Sequence, residues 1–171
     1  MSDFNMAVKE NYTNEEWEKR EEWYVKQIQT IEMPLGPTPQ DLSNFANQIE
    51  KLLSIARFDW AYAKRSSYKY DMYYKSAKLS MYNELEKAGM IQPGAKCTVD
   101  EKKGYVETLL NKPYKNYGVS LVELVNVTKK REIFMDAVIS SLQDKKDLII
   151  SHASAIKTEA SLNNFSSSVP R

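Results

Sequence analysis

The chain has 171 residues, of which 42% are hydrophobic, 11% aromatic and 27% charged, enough for a packed core and too apolar for a disordered chain. Its 24 basic and 23 acidic residues leave a formal net charge of +1, which excludes a histone-like polycation. Five glycines and six prolines argue against a turn-rich all-β fold, and the single Cys97 excludes an internal disulfide framework or a multi-cysteine zinc site. A lone cysteine also suits a reducing compartment. No run of about 18 apolar residues is present, so no membrane-spanning helix is expected. The start at Met1-Ser-Asp-Phe-Asn-Met6 lacks a secretory pattern, and the expected location is the cytoplasm.

Residues 1–12 are polar and read as a flexible N-terminus. Thr13 followed three positions later by Glu16 is a capping box, in which each side chain satisfies backbone donors of the other. It opens a helix over about 14–32, glutamate-rich at its start, where the helix dipole favours anions. On this helix Trp17, Tyr24, Ile28 and Ile31 recur at helical spacing and form an apolar face. The prolines of Met33-Pro-Leu-Gly-Pro-Thr-Pro-Gln40 break it. Thr38 as cap, Pro39 at the first helical position and Asp41 in the first turn start the next helix.

That second helix meets no stop signal until Gly89, so it is expected over about 39–89, a length of about 75 Å at about 1.5 Å per residue. One stripe runs along it: Leu42, Ala46, Ile49, Leu53, Ala56, Trp60, Ala63, Ser67, Tyr70, Tyr74, Ala77, Met81, Leu85 and Ala88. Steps of four and three are the period of a supercoiled seam. Gly89 and Gln92-Pro-Gly-Ala95 end the helix in a turn, and a Thr98/Glu101 capping box opens a short helix over about 99–111. Pro113 and Gly118 bracket a connector that carries Tyr114 and Tyr117.

A last long helix is expected over about 120–162. Its apolar side carries Leu121, Leu124, Val125, Thr128, Met135, Val138, Ile139, Leu142, Ile149, Ala153, Ile156 and Ala160. The β-branched run Val119–Val127 resembles a strand in isolation, but its unbroken continuation favours helix. The fold class is therefore all-α. The expected form is a long antiparallel helical hairpin, with an amphipathic N-terminal helix and a short helix near the hairpin turn, in one domain over 13–165. Ser166–Arg171 reads as a disordered tail or the remnant of an appended protease site.

Catalysis has no support in these residues. There is no glycine-rich phosphate loop, no paired Cys or His at metal spacing and no nucleophile elbow. His152 is the one histidine and reads as structural, and Cys97, though close to Lys96, has no second cysteine and no base. The expectation is a protein that is not an enzyme and has no catalytic residues, metal site or cofactor.

The small net charge conceals segregation. Between Arg57 and Arg131 there are 15 basic and 8 acidic residues, a balance of +7, while the rest of the chain carries −6. One part of the molecule should attract polyanions, or the acidic part of a neighbouring copy. The densest stretch, Arg57–Lys78, holds six cations (Arg57, Lys64, Arg65, Lys69, Lys75 and Lys78), two aspartates and seven aromatics. Lys64, Lys75 and Lys78 share a face with Arg57 close to it, whereas Lys69, Tyr62, Tyr68 and Tyr73 lie elsewhere around the helix. Bases of a single strand stack on open aromatic rings while lysine and arginine hold the backbone, and this composition suits such a site. Trp60, Tyr70 and Tyr74 lie on the apolar stripe and are expected in the core. Phe58, Tyr62, Tyr68 and Tyr73 lie off it and are left for nucleic acid or for a second protomer. The triplet Lys129-Lys130-Arg131 adds to the patch if the long helices pair as a hairpin.

At Ala56-Arg-Phe-Asp-Trp-Ala-Tyr62 the chain resembles the UvsY-type recombination mediators of tailed phages, which carry an Ala-Arg-Leu-Asp-Tyr-Tyr-like segment in a basic helix. The order of helices from about Phe45 to Ala160 is similar too. The resemblance implies a homo-oligomeric, non-enzymatic mediator that binds single-stranded DNA, with Arg57, Lys64 and Arg65 as contacts. It also implies a single-strand-binding protein and a RecA-like recombinase as partners. Two other readings stay open on the residues alone. One is a helical assembly protein of a phage particle, its cations paired with the acidic Glu15–Glu22 helix of a neighbour. The other is a small inhibitor that docks through the Trp17 and Trp23 helix.

Overall fold

The structure, a computed structural model, describes residues 13–33, 35–87, 99–114 and 118–167. Four helices account for most of them: α1 (Asn14–Thr30), α2 (Pro39–Lys87), α3 (Val99–Leu110) and α4 (Leu121–Ser167). Among the described residues there is no strand beyond an isolated bridge between Pro113 and Ser120, and the fold is all-α. The ends differ slightly from expectation. α1 stops at Thr30, because Ile31 leaves the helical region with φ −84° and ψ 87°. α4 continues to Ser167, past the end expected near 162 and into the segment read as a tail. The Gly89 and Pro93-Gly94 turn, Cys97 and the Thr98 half of the expected capping box lie outside the described residues.

Contacts group the described chain into two compact units, with boundaries between Trp60 and Ala61 and between Ile133 and Phe134. The first unit consists of α1, α2 up to Trp60 and α4 from Phe134 onwards. Both helix starts are built as their sequences require. The Thr13 hydroxyl accepts from the Glu16 amide at 3.2 Å, and the Glu16 carboxylate accepts from the Thr13 amide at 3.0 Å. At α2 the Asp41 amide donates to Thr38 Oγ1 at 3.2 Å and the Thr38 amide to Asp41 Oδ2 at 2.9 Å. The Thr38 hydroxyl also donates to Asp41 Oδ2 at 2.6 Å, and this bond, then that of the Thr38 amide, holds the Asp41 carboxyl below its ordinary range.

In this unit the buried hydrophobic residues are Trp17, Tyr24, Ile31, Leu42, Ile49, Leu52, Leu53, Ala56, Met135, Val138, Leu142 and Ile149. Burial of a side chain such as Ile49 or Leu53 stabilises by about 1.5–3 kcal/mol. Trp60 Nε1 donates to Asp136 Oδ1 at 2.6 Å, and Lys146 pairs with Glu50, so going back along α2 goes forward along α4. The two segments are therefore antiparallel within this unit. The Lys145 ammonium donates to the Ile31 carbonyl at 2.7 Å and ties the end of α1 to α4.

One feature of this core was not expected. Arg20, set among the glutamates of α1, is buried, and its Nε donates to Asp59 Oδ2 of α2 at 2.7 Å. The Tyr24 hydroxyl donates to the same oxygen at 2.6 Å. The guanidinium also stands 4.9 Å from the centre of the Trp23 ring and 5.5 Å from that of Tyr24. Burial, then the bond to Asp59, pushes the Tyr24 phenol far above its ordinary range and keeps it a donor.

The second unit is Ala61–Ile133. Its core joins Leu85 of α2, Val106 and Leu110 of α3 and Leu121 of α4, with Tyr74, Met81, Tyr82, Tyr114 and Leu124 packed around them. Gly118, at φ +69°, takes the left-handed conformation in the connector, and the Tyr114 amide donates to the Val119 carbonyl at 2.9 Å. Ser120 Oγ then accepts the Glu123 amide at 3.1 Å and caps α4, so Leu121–Val127 is helical despite its β-branched residues.

Most of the two long stripes is core or half-buried. The exception is the end of α4, where Ala153 and Ala160 are exposed and Ile156 is half-buried, contrary to the apolar side expected there. Ala88 lies outside the described residues.

Candidate nucleic-acid interface

Seven of the eight residues singled out in the sequence fall on α2 within the second unit: Tyr62, Lys64, Arg65, Tyr68, Lys69, Lys75 and Lys78. The eighth, Arg57, belongs to the first unit, exposed beside a groove lined by Trp60, Asp136, Ile139, Ser140 and Gln143. Phe58, 63% exposed, also stands in that unit.

Ala63, Ser67 and Leu85 turn the core side of α2 inward in the second unit. The opposite side is then fixed by helical spacing. Ala61, Arg65, Tyr68, Met72, Lys75 and Leu79 follow one another at steps of three and four, and all six are exposed. Tyr68 and Leu79 are 67% and 64% exposed, too much for rings and chains that serve the core. Trp60, Tyr70 and Tyr74 are half-buried, on the core side as expected, and Tyr62 is also half-buried.

The cations of this face differ in what they touch. Lys75 bonds Asp71 one turn earlier at 2.7 Å, which raises the ammonium above its ordinary range through the hydrogen bond and then the charge. Lys69 rests 5.6 Å from the Tyr70 ring centre and 5.8 Å from that of Tyr73, and Lys78 lies 5.8 Å from that of Tyr74. Ring contacts hold an ammonium in place and leave its charge uncancelled. Arg65 forms no ion pair with a described residue. Tyr70 and Tyr73 meet edge to face with centres 6.1 Å apart, so Lys69, Tyr70 and Tyr73 make one ordered cluster.

The α4 triplet comes to the edge of this region. Glu132 accepts from Lys129 at 2.8 Å and is also bonded by the Ser67 hydroxyl, with the Lys64 charge nearby. The Lys129 bond, the largest of these influences, lowers its carboxyl below the ordinary range. Lys130 is exposed and Arg131 half-buried. Tyr105 of α3, 53% exposed, is a further open ring in this unit that the sequence reading passed over. Lys115 and Tyr117 lie outside the described residues.

His152 is exposed on α4. Among the described residues no group of three or more His, Cys, Asp or Glu side chains is placed to hold a metal ion. No described helix is long and apolar enough to cross a membrane. On the α1 helix, which the inhibitor reading uses for docking, Trp17 and Tyr24 are buried and Trp23 is half-buried. Comparison with protein-family models, curated proteins and solved structures finds no match.

Proposed function

We propose that the second unit binds single-stranded nucleic acid along the outer face of α2 and that the protein acts without chemical transformation, as a single-stranded DNA-binding recombination mediator. The observation that carries this reading is one exposed stripe in which Arg65, Tyr68, Met72, Lys75 and Leu79 alternate, with Lys69 and Tyr73 beside it. Lysine and arginine there would hold phosphates, and the Tyr68 ring would offer a base a stacking surface of about 1–3 kcal/mol. Lys64, Lys78 and Lys130 would extend the positive field along both edges.

The mediator role is supported by the resemblance at Ala56–Tyr62. It brings with it a homo-oligomer in the cytoplasm of a phage-infected host that remodels a complex with a single-strand-binding protein and helps load a RecA-like recombinase. Several subunits on one strand would multiply moderate contacts through effective concentration. The decisive experiment is fluorescence anisotropy with labelled oligo-dT at two salt concentrations. Binding that weakens steeply with salt and is lost in Arg65→Ala/Lys69→Ala/Lys75→Ala supports the reading, and a wild-type chain that ignores the oligonucleotide at low salt ends it.

A further inference from the structure

We infer that the outer face of α2 in the second unit is also a docking surface for α1 of a second copy of this chain. α1 has its own outward stripe. With Trp17, Arg20 and Tyr24 buried on one side, Glu15, Glu18, Glu22 and Val25 face the other way at steps of three, four and three. All four are exposed, and Val25 is 45% open to solvent. Lys19 engages Glu15 at 2.7 Å, while Glu18 and Glu22 form no ion pair with a described residue.

The two stripes complement one another. Arg65, Tyr68, Met72 and Lys75 repeat the same three-four-three spacing, so the two helices present matching ridges. The carboxylates of Glu18 and Glu22 meet a face whose Arg65 and Lys69 charges are not neutralised by carboxylates. Val25 meets the methionine and tyrosine between the cations. Pairing α2 with α2 of another copy would instead oppose Arg65, Lys69 and Lys75 to themselves, which like-charge repulsion disfavours. Acidic helix on basic face is therefore the favoured occupant. Each copy carries one of each face, so the contact is heterologous and continues from copy to copy until it closes. This docking stands apart from nucleic-acid binding, although both use the same cations.

The test needs no nucleic acid. Sedimentation velocity at tens of micromolar protein should give wild type a mass above that of one chain at low salt, falling as salt rises. Glu18→Lys/Glu22→Lys alone, and Arg65→Glu/Lys69→Glu alone, should each weaken association at least tenfold, with helix content unchanged by circular dichroism. Mixing the two variants in equal amounts should restore it, since each supplies the charge that the other has reversed. A monomeric wild type, Glu18→Lys/Glu22→Lys associating like wild type, or a mixture that stays monomeric overturns the inference. Oligo-dT binding measured on the same samples reports separately on the nucleic-acid reading.

Discussion

Arg20 and Asp59 lie 39 residues apart in the chain and close a 2.7 Å ion pair with side chains 2% and 0% exposed, joining α1 to α2 inside the first unit. Removing one partner leaves the other charged and enclosed, which typically costs about 3–5 kcal/mol. Arg20→Leu and Asp59→Leu are each expected to lower the urea midpoint accordingly. The double variant should recover part of the loss, because two apolar side chains can replace a buried pair at little cost while the Tyr24 hydroxyl still lacks its acceptor. Urea unfolding of all four proteins, followed by circular dichroism, completes the cycle.

Tyr24 shares the Asp59 oxygen, and Tyr24→Phe removes a donor to a charged acceptor at an expected cost of about 1.5–3 kcal/mol. The phenol is raised in the folded state, so its contribution is complete below the ordinary value of 10.0 and declines as pH rises above it. Urea midpoints measured from pH 8 to 11.5 should fall for wild type, and the fall should be shallower in Tyr24→Phe.

Acid acts on other groups. Glu50 and Glu132 are held below the ordinary 4.5 by Lys146 and Lys129 respectively, so their contributions are present above that pH and are lost as pH falls through the lowered values. The Glu50–Lys146 pair is open to solvent, and an exposed Lys129 meets a half-buried Glu132, so the expected effect is modest. Glu132→Gln should lower stability slightly at pH 7, converge on wild type in acid, and so flatten the decline between pH 5 and 3 in thermal melts.

For nucleic acid, Tyr68→Ala is expected to weaken oligo-dT by about 5–150-fold, the equivalent of about 1–3 kcal/mol of stacking. Lys69→Ala should weaken it as well and reduce the salt slope by about 0.7. Tyr74→Phe, on the core side of the helix, is the control and should bind as wild type. Anisotropy titrations at three salt concentrations resolve the two effects.

Helix starts were readable because their chemistry is local. Thr13 with Glu16 and Thr38 with Asp41 each need only three residues of spacing, and both caps form. The seam was readable because period alone separates Ile49, Leu53, Ala56 and Ala63 from their neighbours. The buried pair was missed because charge was taken as a mark of solvent. The signal was there: Arg20 lies three and four positions from Trp17 and Tyr24, and Asp59 stands likewise between Ala56 and Ala63. A cation on one apolar face and an anion on another are a pair waiting for the fold to join them. The open ring of Tyr105 and the bare end of α4 were not readable, since both depend on which neighbours a helix meets.

The enclosed guanidinium and carboxylate also bear on descent. A lineage that loses either one alone carries a destabilised intermediate, so related sequences should covary here. Positions 20 and 59 are expected to change together, as a charged couple retained or an oily couple substituted, while the surrounding glutamates drift freely.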